Sequence, residues 1–354
     1  MVSKPGILIT NGRIIDPSSG YDRNGDLLIN NGTIIAREAH IEKESLSDVI
    51  IVDAGGLIVC PGFIDLHCHL REPGFEYKET ISTGTRAAAR GGFTTLCSMP
   101  NTEPAIDNVA VVDYIRAKTV EDGVVRVWPI GCVTKGRKGY ELSEMEELAI
   151  AGVVAFSDDG DPVWDSNIMR LALAYSKDLD LPISNHCQDH TLSKGGVMCE
   201  GPVSTRLGLP GIPAAAEEAM VARDIALAEL TGGKLHVAHL STAGSVALVR
   251  EAKNRGLSIT AEVCPHHLLL TDERVLTSSD DMNGISPNDS YDTSTKVYPP
   301  LRTSNDVRAL IDGLNEGVID CIATDHAPHD IASKQVTYEA VSYTHLTLPP
   351  SDLV

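Results

Sequence analysis

The sequence predicts an α/β protein, a (β/α)8 TIM-type barrel preceded by a small β-rich segment. Three observations carry this. From residue 62 onward, eight short apolar runs of β character alternate with longer Ala-, Glu- and Arg-rich stretches of helical character, the rhythm of repeated βα units. The chain is 42% hydrophobic but only 4% aromatic, and small branched side chains suit parallel strands covered by helices. No GxGxxG fingerprint follows an early strand, which counts against the alternative, an open doubly wound sheet.

Residues 6–60 are brief Ile/Val/Leu runs punctuated by NG, PSSG, RNG, NNG and AGG, turn signals between short strands. We read residues 1–61 as part of a β-sandwich. The barrel runs follow at 62–70, 92–99, 124–134, 152–159, 181–187, 234–241, 257–264 and 318–326. Helical candidates lie between them at 77–90, 105–120, 143–150, 164–178, 214–230, 243–255 and 304–316. The first run, GFIDLHCHL, is expected to bury Phe63, Ile64, Leu66 and Leu70. Residues 278–297 are polar and turn-rich, the composition of a surface excursion. The barrel domain is expected to span 62–340, without its last helix. Residues 341–354 look foreign to what precedes them, so the chain is expected to be truncated and poorly stable.

Charge narrows the choice of partner. Twenty-nine Lys and Arg stand against 49 Asp and Glu, a formal charge of −20 with a pI near 4.9, which repels nucleic acid and anionic membranes. The N-terminal MVSKPGILITNG does not resemble a signal peptide and no apolar run reaches transmembrane length, so the cytoplasm is the expected location. The eight cysteines contain no CxxC pair and read as buried reduced thiols.

Alternation along an extended strand puts Asp65, His67, His69 and, if extension persists, Arg71 on one face. At the C-terminal end of a barrel strand that face is the floor of an active site. Taken alone, the HxH pair reads equally as two hydrogen-bonded histidines or as metal ligands. Other runs end in Asp158 and Asp159, His186, His239 and Asp325. Six nitrogen and oxygen donors from five strands would suit a divalent cation, zinc above all. His236 faces away from His239 on an extended strand, against a helix. His266 and His267 read as structural or supporting residues, and His40, His190 and His345 carry no signal.

The stretches DLHCHLREPG, SMPNTEP, FSDDGDPV, NHCQD, GIPAAAEEAMVARDI, HVAHLST, CPHHLLLTD, PPLR and ATDHAPHDIASK closely resemble the bacterial class I dihydroorotases of the amidohydrolase superfamily, in order, from residue 5 to about 340. That resemblance implies reversible cyclisation of N-carbamoyl-L-aspartate to dihydroorotate, with one or two zinc ions. It assigns His67, His69 and Asp325 to the catalytic metal, Asp159 to a carboxylate able to bridge to a second, and His186 and His239 to that second metal. Asp325 would also carry the proton. Arg71, Asn101 and His329 would contact the substrate carboxylate, although Arg71 could form a rim salt bridge and Asn101 could initiate a turn. A homo-oligomer and aspartate transcarbamoylase are the implied protein partners.

One position departs from the pattern: where the family has Asn in KxNPPLR, this chain reads KVYPPLR, with Tyr298. A phenol cannot reproduce an amide's paired hydrogen bonds. Two alternatives to a dihydroorotase are a related cyclic amidohydrolase, allantoinase or dihydropyrimidinase, and a non-catalytic subunit of aspartate transcarbamoylase. The first typically carries a carboxylated lysine in the fourth strand, where this chain has aspartates. The second would have lost ligands.

Overall fold

In the computed structural model, which describes residues 5–42, 48–276 and 290–342, the unit Met1–Phe63 holds a five-stranded sheet. Its strands are β1 (Gly6–Asp16), β2 (Tyr21–Asn30), β3 (Thr33–Glu38), β4 (Val49–Asp53) and β5 (Ile58–Val59). They run in the order β3-β2-β1-β4, with β5 also paired to β1. The turn chemistry explains the hairpins. Asn31 and Gly32 both take the left-handed backbone, φ 49° and 75°, which a two-residue hairpin between right-twisted strands requires. Asp16 accepts from the backbone N–H and hydroxyl of Ser18 at 3.1 and 2.7 Å, closing the β1–β2 loop. Leu8, Leu28 and Ile41 form the small core of this unit.

The unit Ile64–Val354 carries β6 (Phe63–Cys68), β7 (Phe93–Ser98), β8 (Arg126–Pro129), β9 (Ile183–Asn185), β10 (Met198–Cys199), β11 (Gly211–Ile212), β12 (Leu235–Val237), β13 (Ile259–Val263) and β14 (Cys321–Ile322). Two ladders run β6-β7-β8 and β14-β13-β12-β9, and β10 pairs with β11 apart from both. The registers of β7 with β8, β9 with β12, β12 with β13 and β13 with β14 are all parallel. Single parallel bridges join Gly131 to Phe156, Phe156 to Ile183 and Cys68 to His326.

The fourth expected run, 152–159, forms no strand: only Phe156 bridges, to one neighbour on each side. Its backbone is nonetheless hydrogen-bonded to both neighbours, Val154 N donating to Pro129 O at 3.2 Å, Ser157 N to Gly131 O at 2.8 Å and Phe156 N to Pro182 O at 3.0 Å. Past it the Asp158 carboxylate accepts from the N–H groups of Val133 and Thr134 at 2.9 and 3.0 Å. Helices follow the remaining runs where the apolar spacing changes from two to between three and four. In Ser166–Asp178, Asp165 caps the first turn by accepting from Asn167 and Ile168, and Met169, Ala172, Leu173 and Ser176 make the buried stripe. Ser304–Asn315 opens with a reciprocal capping box of Thr303 and Asp306. Ala215–Thr231 stops at Gly232, in the left-handed conformation at φ 70°.

One continuous core lies between strands and helices, with Phe156, Leu148, Met169, Leu173, Ile183 and Val237 fully buried. The expectation for the first run holds only for Leu70. Phe63, Ile64 and Leu66 are 55%, 58% and 39% exposed. No described helix is long and apolar enough to cross a membrane. Residues 278–289 of the expected excursion and residues 343–354 of the tail, His345 among them, lie outside the described residues.

Candidate metal centre and active site

Strand alternation places the first two donors. On β6, Asp65 and His67 are buried at 2% and 0% exposure, while Leu66 between them faces out. Asp65 accepts from the N–H and the hydroxyl of Thr324 at 3.0 and 2.5 Å. His67 O accepts from Asp325 N at 2.9 Å, and His69 N donates to His326 O at 2.8 Å. The segments bearing the HxH pair and Asp325 are thus held against each other, 256 residues apart in sequence. Extension ends at Cys68, so Arg71 does not continue the alternation; at φ 63° it reaches the same pocket through a turn. His239 and Asp325 also have left-handed backbone, φ 33° and 48°, a strained conformation that gathers at functional sites.

The expected donors come together. His67 Nε2 lies 3.4 Å from Asp159 Oδ2 and 3.5 Å from Asp325 Oδ1. His69 Nε2 lies 3.1 Å from Asp325 Oδ1 and 3.4 Å from Asp159 Oδ2. On the other side of Asp159, Oδ1 is 3.3 Å from His239 Nε2 and 3.6 Å from His186 Nδ1, and those two ring nitrogens are 2.9 Å apart. Donor atoms of His67, His69 and Asp325, and separately of His67, Asp159 and His239, fall within 4.8 Å of one another. The geometry also separates the two aspartates of DDG: Asp159 enters the cluster, whereas Asp158 is spent on the backbone of 133–134.

Electrostatics bind the cluster tightly. Burial disfavours a proton on His67, but the carboxylates of Asp159, Glu262 and Asp325 outweigh it and hold its pKa well above the usual value. Burial pushes the pKa of Asp159 up, yet His67, His186 and His239 together hold it well below the ordinary carboxylate range. The same competition, burial against His67 and His69, keeps Asp325 ionised. Burial lowers the pKa of His69 and His186. Asp158, away from the imidazoles, is instead raised to about 6 by burial.

A cavity of about 310 Å³ opens over the cluster, lined by His69, Asp159, His186, His239 and Asp325 together with Arg71, Asn101, Tyr298 and His329. Each substrate-contact candidate has a definite place. Arg71 Nε donates to Pro328 O at 3.4 Å, leaving the ends of its guanidinium toward the cavity. Asn101 Oδ1 sits 2.7 Å from His69 Nδ1. The Tyr298 ring stacks on His186, centroids 4.7 Å apart and planes at 25°. His329 is pushed down to about 4 by burial, with Arg71 and Lys78 acting in the same direction.

Residues 56–245 match the family model described as dihydro-orotase-like. A dihydroorotase of Pelotomaculum thermopropionicum is 53% identical over 337 residues, 95% of this chain and 75% of that protein. The chain belongs to the dihydro-orotase-like family. Its fold is shared more widely: a D-hydantoinase (dihydropyrimidinase) from a Thermus species superposes with a TM-score of 0.75 at 25% identity, covering 96% of this chain and 74% of that one. An L-hydantoinase (dihydropyrimidinase) from Arthrobacter aurescens gives 0.77 at 19% identity, covering 96% and 73%.

Within this dihydro-orotase-like chain, sequence reasoning passed over three participants. Lys78 and Arg137 line the cavity, and Glu262 lies 2.5 Å from His67 Nδ1. Lys78 sits in a turn and Arg137 ends the single 3₁₀ turn Lys135–Arg137, both too short for any periodicity to mark them. Glu262 did carry a signal: a lone carboxylate inside the apolar run LSITAEVC must find a partner if it is buried. His236, expected to pack away from the site, is turned instead toward Glu262 Oε2 at 3.1 Å. His266 lines the cavity, while His267 donates Nε2–H to Pro299 O at 3.0 Å.

Proposed function

We propose that this protein is a dihydroorotase, interconverting N-carbamoyl-L-aspartate and dihydroorotate in pyrimidine synthesis. The observation that carries this reading is its high identity, along nearly the whole chain, to a protein of that name. The cavity supports it: Arg71, Lys78 and Arg137 face it, a positive wall suited to an anionic substrate. Dihydrouracil and allantoin carry no carboxylate for that wall to bind, and the run GVVAFSDD contains no lysine, which disfavours the dihydropyrimidinase and allantoinase alternatives. Intact donors on all five strand ends disfavour a non-catalytic subunit.

The residues fit a metal. His67 Nε2 is buried with no hydrogen-bond partner, and ring nitrogens of His67, His69, His186 and His239 crowd within 3.1 to 3.6 Å of the ionised carboxylates of Asp159 and Asp325, a buried donor set that calls for a cation. Zinc suits such a mixture of imidazole and carboxylate donors. His67, His69 and Asp325 would hold one ion, and Asp159, His186 and His239 a second. When bound, the metal supplies a water acidified to a pKa of about 7 and polarises the reacting carbonyl.

The chain's own groups supply the rest. Asp325 takes the proton from the nucleophile and returns it to the departing ring nitrogen; in synthesis it deprotonates the ureido nitrogen. Its side chain is 16% exposed at the cavity floor, open enough to exchange that proton. Arg71 binds the substrate carboxylate through its paired N–H groups. His329, neutral at pH 7 because its pKa is near 4, offers a hydrogen bond and no charge. Asn101 holds His69 with its oxygen and has its amide N–H groups left for substrate. The Tyr298 hydroxyl would donate one bond where the family's asparagine would make two.

The bridges from Phe156 to both neighbours and from Cys68 to His326 lead us to read the strands as a closed (β/α)8 barrel over residues 62–340, with residues 1–61 as part of a β-sandwich and 341–354 as an atypical tail. We further infer a homo-oligomer in the cytoplasm with aspartate transcarbamoylase as a partner, which co-elution from a sizing column tests. The activity itself is tested by incubating zinc-loaded protein with carbamoyl aspartate and following dihydroorotate formation. Its absence in both directions would refute the reading.

A further inference from the structure

We propose that Glu262 is the positioning residue of the metal centre: it fixes the proton of His67 on Nδ1, ties His67 to His239, and is itself held by His236. This rests on the metal-dependent reading above. Glu262 stands on β13 and is 1% exposed. Its Oε1 lies 2.5 Å from His67 Nδ1 and accepts from His239 N at 3.2 Å. Its Oε2 lies 3.1 Å from His236 Nε2, and His236 Nδ1 is 2.8 Å from Thr260 Oγ1.

An ionised carboxylate only accepts hydrogen bonds. Facing Glu262, His67 must therefore carry hydrogen on Nδ1, which leaves Nε2 as the nitrogen that gives up its proton when a cation binds. That Nε2 is the buried atom without a partner, aimed between Asp159 Oδ2 and Asp325 Oδ1 at 3.4 and 3.5 Å. A carboxylate behind a ligating imidazole sets both its tautomer and its ring orientation. The second bond from the same oxygen has a separate consequence. His239 has left-handed backbone at φ 33°, and an N–H captured by a buried carboxylate helps to hold it there. His67 belongs to the β6-β7-β8 ladder and His239 follows β12 in the other, so one oxygen atom spaces donors contributed by two ladders.

His236 supplies what a buried carboxylate needs, a donor for its remaining oxygen. Glu262 does not line the cavity, so its influence on turnover passes through the metal. The two roles are separable by experiment. The zinc dissociation constant of wild type, Glu262→Gln and His236→Gln is measured by competition with a chromophoric chelator, with circular dichroism as the folding control. Glu262→Gln is expected to weaken zinc binding about 10- to 100-fold, and His236→Gln by a smaller factor in the same direction. Saturating zinc should restore much of the turnover of Glu262→Gln with KM unchanged, which a general loss of structure would not allow. Wild-type zinc affinity in Glu262→Gln would overturn the proposal. If that variant fails to fold, wild-type affinity in His236→Gln would overturn it equally. A wild-type protein that binds no zinc would instead remove the metal reading, and the proposal with it.

Discussion

Asn101 Oδ1 accepts the hydrogen bond of His69 Nδ1 at 2.7 Å, turning His69 Nε2 toward Asp325 Oδ1 at 3.1 Å. An asparagine that the sequence suggests as a substrate contact thus also orients a candidate ligand. Replacing Asn101 with Ala is expected to lower zinc affinity, and kcat/KM about 10- to 100-fold. A residue that contacts substrate alone would raise KM and leave kcat unchanged. Steady-state kinetics combined with a zinc titration separate the two.

Asp325 is assigned the proton. Asp325→Asn keeps the shape of the side chain and removes its basicity, so kcat should fall at least about 100-fold, the lower range for losing a general base. Its melting curve should stay close to that of the parent. Turnover within a few-fold of wild type would take the proton-transfer role away from Asp325.

How far the sequence could be read depended on whether a residue obeyed a local period. His67 and Asp65 share a strand face, and alternation is enough to bring them inward. The helices from Ser166 and Ser304 announce themselves through Asp165 and Thr303, residues whose side chains accept from the first turn. Arg71 lay beyond such reasoning, because it turns into the left-handed region just past the strand. The run at 152–159 takes its expected place, hydrogen-bonded to a segment on each side, but which of its two aspartates turns to the site has no local trace, because Asp158 is taken by the long-range bonds to Val133 and Thr134. Glu262 and His236 meet across neighbouring strands, and only the register of β12 against β13 shows that they do.

His267 gives a pH signature. Burial lowers its pKa to about 4, against a bond to Pro299 that works the other way. From pH 6.5 down to about 4 the unfolded chain binds a proton that the folded protein refuses, so stability falls as pH falls; above 6.5 His267 contributes no slope. His267→Gln should make the acid limb shallower by up to about 1.4 kcal/mol per pH unit. Urea denaturation of metal-free protein across that range is the check, and identical slopes would disprove it.

Tyr298 stacks on His186, so its ring and its hydroxyl can be tested apart. Tyr298→Phe preserves the stack and removes one hydrogen bond, and KM for dihydroorotate should rise about 5- to 10-fold with kcat little changed. An unaltered KM would mean that the phenol oxygen does not touch substrate.

The most direct test of the account compares substrates. For the zinc-loaded protein, kcat/KM is measured for ring opening of dihydroorotate and of dihydrouracil, which differ by the carboxylate that Arg71 is assigned to bind. The account predicts a preference for dihydroorotate of at least about 100-fold, the scale of a buried charge-assisted bond pair. Equal or faster opening of dihydrouracil would contradict it and place the protein with the dihydropyrimidinases.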